Sequence, residues 1–303
     1  MRVLVTGGAG FIGTNLIKRL LSDGHEVISV DNYSTGKYEN HQKGCDYYRR
    51  DLSDSHWWSL VNECLCEVTC ECNIKPVDIV YHMAALARIQ PSFNTPMETF
   101  QANVVATQRI LEWSRLNNTP IIYAGSSTMH GDHTLNPYTF CKWQSEELVM
   151  LYNKIWKLPV SICRFYNVYG PHQLVEGTYC TVIGVFERLY REGKPLTITG
   201  DGEQRRDFTY VDDIVDGLIR CGSMLESNMS HKVNGQYFEL GYGKNYSINE
   251  IAKAFGKNYP TKYIDARPGE MRETLNTDTK AKELLGWKPK NDIIKYIQKN
   301  YIS

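Results

Sequence analysis

A surplus of charge of either sign is absent from this 303-residue chain, which has 34 Lys and Arg against 34 Asp and Glu. Its composition therefore does not indicate a surface for nucleic acid. Long apolar runs are also missing, because no stretch reaches the roughly eighteen apolar residues that a membrane-spanning helix needs. No basic and apolar leader precedes the first strand, which begins at Arg2. We expect a soluble, cytoplasmic protein that binds neither nucleic acid nor a membrane.

Cysteine is sparse, with nine residues, an odd number too dilute for a disulfide framework, so reduced thiols are expected. Four of them form a cluster with the spacing C-x-C-x3-C-x-C, namely Cys64, Cys66, Cys70 and Cys72. This spacing lacks the paired C-x2-C of a structural zinc site. The cluster fits a cysteine-rich surface insertion, with a metal site as the alternative. Elsewhere we expect no metal.

The chain is 42% apolar, which is enough to bury a full core in one large domain or two closely packed ones. Short apolar segments alternate with helical patterns of ten or more residues from the first residues onward. Such alternation predicts an α/β fold, with a doubly wound parallel sheet covered by helices on both faces.

A glycine-rich turn lies between the first apolar strand, residues 3–5, and a helix expected over residues 11–22. Gly7 and Gly10 remove side chains where the backbone must turn sharply, and Gly13 lets the helix pack closely. The N-terminus of that helix directs free N–H groups at the turn, which predicts a seat for a dinucleotide pyrophosphate. Because glycine turns also occur in structural loops, the following strand has to support this interpretation.

The second apolar strand, residues 26–30, is followed by Asp31. A carboxylate at this place binds a ribose 2′-hydroxyl and repels the extra phosphate of NADP, and no Arg is directly adjacent in sequence. The sequence therefore favours NAD, although Asp31 could instead be a solvated carboxylate. Asp51 follows the third strand and is expected to face the adenine end of the cofactor.

A polar turn containing Ser126 follows a later strand, and a long helix then carries Tyr138 and Lys142. Residues four apart share a helical face, so the ammonium of Lys142 is expected to lower the pKa of the Tyr138 phenol below its free value of about 10. A phenolate near neutral pH can accept a proton from a hydroxyl group. Tyr-x3-Lys is also an ordinary helix pattern, so the preceding serine turn and glycine loop are what favour catalysis.

These motifs resemble the extended short-chain dehydrogenase/reductases, and within them the nucleotide-sugar epimerases and dehydratases. The likeness runs from Arg2 to about Pro289. It rests on Ser126, Tyr138 with Lys142, and residues 7–13, 31–36, 82–85, 164–171, 200–213 and 267–270.

The resemblance implies a Rossmann domain over residues 1–166, with a returning segment at about 208–224. Residues 167–207 and 225–303 are then a smaller C-terminal α/β lobe that binds the nucleotide sugar. It also implies a homodimer paired through the helices that start near Met97 and Tyr138. Their apolar residues lie on more than one face: Val104, Val105, Ile110, Leu111, Leu148, Val149, Leu151 and Ile155.

The resemblance also assigns the site residues. Those expected at NAD are Gly7, Gly10, Phe11, Ile12, Gly13, Asp31, Asn32, Asp51, Leu52, Ala84, Ala85, Asn103, Tyr138 and Lys142. Those expected at the nucleotide sugar are Thr128, Asn167, Arg206, Arg267, Glu270 and Thr274. Ser126, Tyr138 and Lys142 are the expected catalytic residues. Arg206 could alternatively be a structural partner of Asp207 or Asp213.

The implied reaction is C4 epimerisation of a UDP-sugar through a transient 4-keto intermediate. A dehydratase of this family carries an Asp-Glu pair where this chain has Ser127 and Thr128, which argues against elimination of water. The remaining alternatives are a reductase or synthase, a decarboxylase, and a non-catalytic dinucleotide sensor.

The sugar pocket departs from the family pattern in two places. His130 stands where a Tyr is usual, and the segment from Gly131 to Tyr138 is short. Thr274 aligns with a position that is a bulky Tyr in epimerases confined to plain hexoses. Since Thr is small, an N-acetylhexosamine is expected to fit, unless Thr274 merely caps the helix region that follows.

Overall fold

A seven-stranded parallel sheet forms the centre of the structure, a computed structural model that describes residues 1–58 and 74–302. The described strands are β1 (Arg2–Thr6), β2 (Glu26–Asp31), β3 (Cys45–Arg49), β4 (Ile79–His82), β5 (Ile121–Ser126), β6 (Val160–Phe165), β7 (Asn167–Tyr169), β8 (Leu196–Thr199), β9 (Arg205–Tyr210), β10 (Gln236–Leu240), β11 (Asn245–Ser247) and β12 (Thr261–Ile264). The central sheet has the order β10-β6-β5-β4-β1-β2-β3. The predicted doubly wound α/β class is confirmed.

Helices cover both faces of this sheet. The described helices are α1 (Phe11–Ser22), α2 (Ile89–Asn94), α3 (Pro96–Phe100), α4 (Ala106–Asn117), α5 (Pro137–Trp156), α6 (Val182–Arg191), α7 (Val211–Leu225), α8 (Ile248–Ala254), α9 (Lys280–Leu285) and α10 (Ile293–Tyr301). A π-helical turn, Gln101–Val105, joins α3 to α4. The single long helix expected from Met97 onward is therefore built from three consecutive pieces.

The first strand shows why the sheet is buried on both faces. Val3 and Val5 point into one apolar cluster with α1 and α7, whereas Leu4 points into the other cluster with α4 and α5. Side chains alternate across a strand, so a continuous apolar run is required when helices cover both sides. This layering leaves the carboxyl ends of the strands open along one edge.

The chain returns to the central sheet three times after residue 166. Helix α7 packs on the same face as α1. Strand β10 then adds to the edge of the sheet, parallel to β6. Trp287 also packs into this cluster, so part of the segment 225–303 contributes to the core of the dinucleotide-binding layer.

Two small sheets and a third apolar cluster form the smaller lobe. In one sheet β9 pairs with β7 in parallel and with β11 in antiparallel orientation, and in the other β8 pairs with β12 in parallel. A capping box is present at the start of α8, where Ser247 and Glu250 exchange hydrogen bonds. Gly286 ends α9 with φ of 59°, in the left-handed conformation expected of it.

No helix in the part of the chain that the structure describes is long and apolar enough to cross a membrane. The cysteine cluster at residues 64–72 lies outside the described residues. The same is true of most of the segment from Trp57 to about Cys66, for which the sequence pattern predicts a helix.

Candidate active site

A cavity of about 440 Å³ opens between the carboxyl edge of the central sheet and the smaller lobe. Ligands of open parallel sheets bind at this edge, where the chain passes from strands into loops. Among the predicted site residues, the structure brings the following to the cavity wall: Gly7, Gly10, Phe11, Ile12, Gly13, Asp31, Asn32, Asp51, Leu52, Ala84, Ala85, Ser126, Thr128, Tyr138, Lys142, Asn167, Arg206, Arg267 and Glu270.

The glycine loop is a close-packed cradle. Gly7 has φ of +70°, and a Cβ atom there would lie 2.8 Å from Ala84 Cα. A Cβ atom on Gly13 would lie 2.2 Å from the Gly7 carbonyl oxygen. Any side chain at either place would therefore move the start of α1 away from the loop. The cradle and the N-terminus of α1 fit the pyrophosphate of a dinucleotide.

Asp31 is fixed at the next loop by two backbone hydrogen bonds. Ala9 N–H donates to one carboxylate oxygen at 2.9 Å and Tyr33 N–H donates to the other at 2.7 Å. Burial raises the pKa of Asp31, while these N–H donors oppose that rise. Burial would likewise raise the pKa of Asp51, but hydrogen bonds from Asn32 and Ser53 outweigh it and lower that pKa. Two acidic side chains at this end disfavour a further phosphate.

Tyr138 and Ser126 lie together deeper in the cavity. The Tyr138 hydroxyl is 3.5 Å from Ser126 Oγ, which also accepts hydrogen bonds from the backbone and side chain of Thr128. Burial raises the pKa of Tyr138, while the Ser126 hydrogen bond and the positive charge of Arg88 lower it. The two hydroxyls lie side by side in the cavity lining, where both can form hydrogen bonds with an alcohol group of a substrate.

Lys142 does not act on Tyr138 as the sequence suggested. Its Nζ donates to the Ala124 carbonyl at 2.8 Å and lies 3.3 Å from the Tyr123 hydroxyl. The long side chain therefore bends toward β5, and the positive charge that lowers the pKa of Tyr138 is that of Arg88. Burial lowers the pKa of Lys142 to about 8.

Asn103 supports the cavity wall from behind. Its side-chain oxygen accepts from Leu86 N–H at 2.8 Å and its amide donates to the Leu86 carbonyl at 3.1 Å. Both polar atoms are used by the loop, and Asn103 is buried behind it. The structure thus places Asn103 so that it shapes the wall through Leu86 and does not face the cavity.

Thr274 also lies outside the cavity lining. Its Oγ1 accepts hydrogen bonds from the Asn167 amide and from Asp207 N–H, each at 3.3 Å. Helix α9 starts only at Lys280, so the alternative that Thr274 caps it is not met either. Thr274 instead ties β7 to β9 and orients Asn167, whose side chain does line the cavity.

Arg206, on the lobe side of the cavity, forms an ion pair with Glu270. Arg206 Nη2 lies 3.6 Å from a carboxylate oxygen of Glu270. The alternative that Arg206 pairs with Asp207 or Asp213 is wrong, because both of those carboxylates accept backbone N–H groups elsewhere. Burial lowers the pKa of Arg206, and Glu270 opposes the shift. Arg206 and Arg267 together can bind the oxygens of a diphosphate.

Sequence reasoning missed Arg88 and the loop that faces it. Arg88 follows the run of small residues after β4, and its side chain lines the cavity together with Tyr179 and Cys180. No sequence motif marks Arg88 as a site residue, because its position depends on the contact between two loops that are far apart in sequence. A buried network behind Ser126 was also missed, in which Glu146 accepts Ser126 N–H at 3.3 Å and pairs with Arg164 at 2.7 Å.

Comparison with known proteins identifies the group to which this architecture belongs. Residues 3–234 match the model of the NAD dependent epimerase/dehydratase family. A UDP-glucose 4-epimerase of Mycolicibacterium smegmatis is 32% identical, over 95% of this chain and 94% of its own. UDP-glucuronic acid decarboxylase 2 of Arabidopsis thaliana is 31% identical, over 96% of this chain and 65% of its own.

The solved structures give the same result for the fold. A UDP-glucuronic acid 4-epimerase from Bacillus cereus, in complex with UDP-glucuronic acid and NAD, superposes with a TM-score of 0.85. It is 27% identical, and the match covers 100% of this chain and 98% of that one. The glycine cradle and Asp31 fit the NAD of this group. This chain belongs to the NAD dependent epimerase/dehydratase family, as an extended short-chain dehydrogenase/reductase of the nucleotide-sugar-modifying kind.

Proposed function

We propose that this protein interconverts the C4 epimers of a UDP-sugar, either a UDP-hexose or a UDP-N-acetylhexosamine. The observation that carries the proposal is the buried contact between Tyr138 and Ser126 at the end of the NAD cradle. A proton acceptor and an oxygen-binding hydroxyl at one point are what the oxidation of a secondary alcohol requires. NAD, when bound, supplies the acceptor and donor of the C4 hydride.

The residues of the chain then have separate tasks. Tyr138 takes the proton from the 4-hydroxyl and returns it after the ketone has turned over, and Ser126 holds the same oxygen throughout. Lys142 holds the ribose next to the nicotinamide. Asn167, Arg206 and Arg267 bind the diphosphate, and Glu270 binds the ribose of the uridine. Thr128 orients Ser126, since its hydroxyl donates to Ser126 Oγ at 3.0 Å.

Two other reactions compete with epimerisation once C4 is oxidised, namely loss of water and loss of carbon dioxide. Elimination needs an acid and a base beside Ser126, and Ser127 and Thr128 offer only hydroxyls. Decarboxylation is the second candidate function, because a UDP-glucuronic acid decarboxylase is almost as similar as the epimerase. Product analysis separates the two, since epimerisation conserves every carbon of the sugar.

The assembly and location are part of the same proposal. We propose a homodimer paired through α4 and α5, with residues 1–166 and 208–224 as the cofactor part and residues 167–207 and 225–303 as the sugar lobe. The described cysteines are all free thiols, which supports the cytoplasm as the compartment.

Substitution of Tyr138 by Phe tests the mechanism. Removing the hydroxyl leaves the cradle intact, so NAD stays bound while turnover of UDP-glucose or UDP-N-acetylglucosamine falls at least about a hundredfold. Turnover is measured by separating epimers after incubation, and bound NAD is measured after denaturing the purified protein. A variant that retains more than about a hundredth of the activity shows that Tyr138 is not the base.

A further inference from the structure

Arg88 is held rigidly at the cavity wall by two carbonyl groups. Its Nε donates to the Tyr179 carbonyl at 2.8 Å, and Nη1 donates to the Ala87 carbonyl at 3.0 Å. The first bond joins the loop after β4 to the distant loop that precedes α6. The bonds from Nε and Nη1 fix the plane of the guanidinium, so the remaining N–H donors of Nη1 and Nη2 present a free edge in a defined direction.

No carboxylate in the part of the chain that the structure describes neutralises the charge of Arg88. A guanidinium has five N–H donors, and the two carbonyls use only two of them. Within residues 1–58 and 74–302, Arg88 forms no ion pair with a carboxylate, and its pKa is lowered by burial. Glu270 is the carboxylate whose charge opposes this shift, and it is already paired with Arg206 at 3.6 Å. Keeping a partly buried cation without an anion is costly, so a ligand anion is the natural partner.

Arg88 lies at the reacting end of the cavity. Helix α2 begins at the next residue, Ile89, and Ser92 Oγ on this helix accepts a hydrogen bond from Tyr138 N–H at 3.1 Å. Arg206 lies on β9 in the smaller lobe, where its Nη1 donates to the Arg205 carbonyl at 2.9 Å. Arg88 therefore shares its surroundings with the catalytic hydroxyl, whereas Arg206 belongs to the lobe side. An anion at Arg88 is part of the sugar and not of the diphosphate.

We propose that Arg88 is a specificity-determining residue that binds a carboxylate on the sugar ring, so that the preferred substrate is a UDP-hexuronic acid. The inference rests on the proposed binding of a UDP-sugar in this cavity and narrows the sugar from neutral to acidic. A carboxylate offers two oxygens to the free edge of the guanidinium, which gives a charge-assisted contact. A neutral hexose carries a hydroxymethyl group in its place and leaves the charge unmatched.

UDP-glucuronic acid and UDP-glucose are the probes, because they differ only in the carboxylate. Affinity for the NAD-loaded protein is measured by calorimetry, and rates are measured by separating C4 epimers. The variants are Arg88→Gln, which removes the charge, and Arg88→Lys, which keeps it. Arg188→Gln is the matched control, because Arg188 Nε also donates to a carbonyl of this loop, Val175, at 2.9 Å, but its charge is paired with Glu192.

The wild-type protein and the Arg188→Gln control are expected to bind UDP-glucuronic acid roughly tenfold to a hundredfold more tightly than UDP-glucose. Arg88→Gln brings this ratio close to one by weakening only the acidic sugar, and Arg88→Lys retains part of the preference. A ratio unchanged in Arg88→Gln overturns the inference. Equal losses for both sugars and for UDP alone also overturn it, because they assign Arg88 to the diphosphate.

Failure of the inference is distinguishable from failure of the proposed epimerisation. A preference for the acidic sugar that depends on Arg88, together with release of carbon dioxide, leaves the inference standing and makes epimerisation wrong. Epimerisation of UDP-glucose with no preference for the acid leaves the epimerase proposal standing and makes the inference wrong. Binding of neither sugar contradicts both.

Discussion

The protonation state of Tyr138 decides when the proposed base can work. Burial raises the pKa of Tyr138, so the phenolate fraction, and with it kcat/KM, increases as the pH rises from neutral into the alkaline range. Arg88 opposes the rise, and Arg88→Gln is therefore expected to move the ascending limb to higher pH. Initial rates across a pH series for wild type and variant check this. The Arg188→Gln control should leave the limb in place, and a limb at the same pH in Arg88→Gln contradicts the prediction.

Thr274 offers a second test on a single residue. Replacing it by Val removes the oxygen that accepts from Asn167 and from Asp207 N–H, at a cost of about 1 kcal/mol in unfolding free energy. Asn167 loses its orientation, so KM for the UDP-sugar is expected to rise more than kcat falls. Urea unfolding and steady-state kinetics measure the two effects, with Thr274→Ser as the control that keeps the oxygen.

The structure also changes what is expected of a larger residue at this position. Because Thr274 lies behind Asn167, Thr274→Tyr should disturb plain and N-acetylated sugars to a similar degree. A selective loss of the acetylated sugar would instead show that the position gates the sugar after all. Rates for UDP-glucose and UDP-N-acetylglucosamine, compared in wild type and variant, decide between the two.

The residues show what sequence can and cannot anticipate at a site. Spacing in the chain predicted that Gly7, Asp31, Ser126 and Tyr138 would meet, because the carboxyl ends of parallel strands lie on one edge. It could not predict the direction of a long side chain. Lys142 shares a helical face with Tyr138, yet its four-carbon stem allows it to reach the Ala124 carbonyl. Arg88 depends on a contact with Tyr179, and sequence periodicity carries no information about such loop pairs.

Among the elements, the start of α5 couples catalysis to the sugar lobe. Asn136 caps this helix by accepting from Thr139 N–H at 2.8 Å, and its amide donates to the Gly269 carbonyl at 3.2 Å. Asn136→Ala is expected to cost about 1 kcal/mol in unfolding free energy, because the cap is lost. Since Tyr138 lies in the first turn of α5, kcat should fall as well.

The control for this prediction is Asn136→Asp, which keeps the capping oxygen and removes the donor to Gly269. It should retain most of the helix stability in urea unfolding while KM for the UDP-sugar rises. Equal stability of the Ala variant and wild type would show that the cap contributes nothing.

Element boundaries were predictable where local chemistry sets them. The Thr181 cap of α6, the capping box of α8 and the Gly286 stop of α9 are each formed by residues that are close together in sequence. The place of β10 beside β6 was not predicted, because the pattern of a five-residue strand does not indicate which sheet the strand joins. The chain reaches this edge through α7, which packs on the same face as α1, so the partner of β10 is set by tertiary packing.

At the scale of the whole molecule, the exposed faces of α4 and α5 bear on the proposed homodimer. Four of the apolar residues on these helices are buried in the monomer, namely Val104, Ile110, Leu111 and Val149. The sequence pattern could not separate the two apolar faces of these helices. Leu151 and Ile155 do remain exposed, at 45% and 56%, and Leu116 and Trp156 are about half exposed nearby.

Leu151 and Ile155 lie one turn apart on α5 and so share one outward face. Contact between copies of this face would bury apolar surface that each monomer otherwise leaves in water, which is the driving force for association. We expect twice the monomer mass by sedimentation at about 10 μM, a concentration at which a specific dimer interface persists.

The double variant Leu151→Glu with Ile155→Glu should sediment as a monomer, because four buried carboxylates would face one another across a two-fold axis. Leu284→Glu, an equally apolar exposed residue on α9, is the control and should remain dimeric. A wild-type monomer at this concentration contradicts the homodimer, and a double variant that stays dimeric moves the interface away from α5.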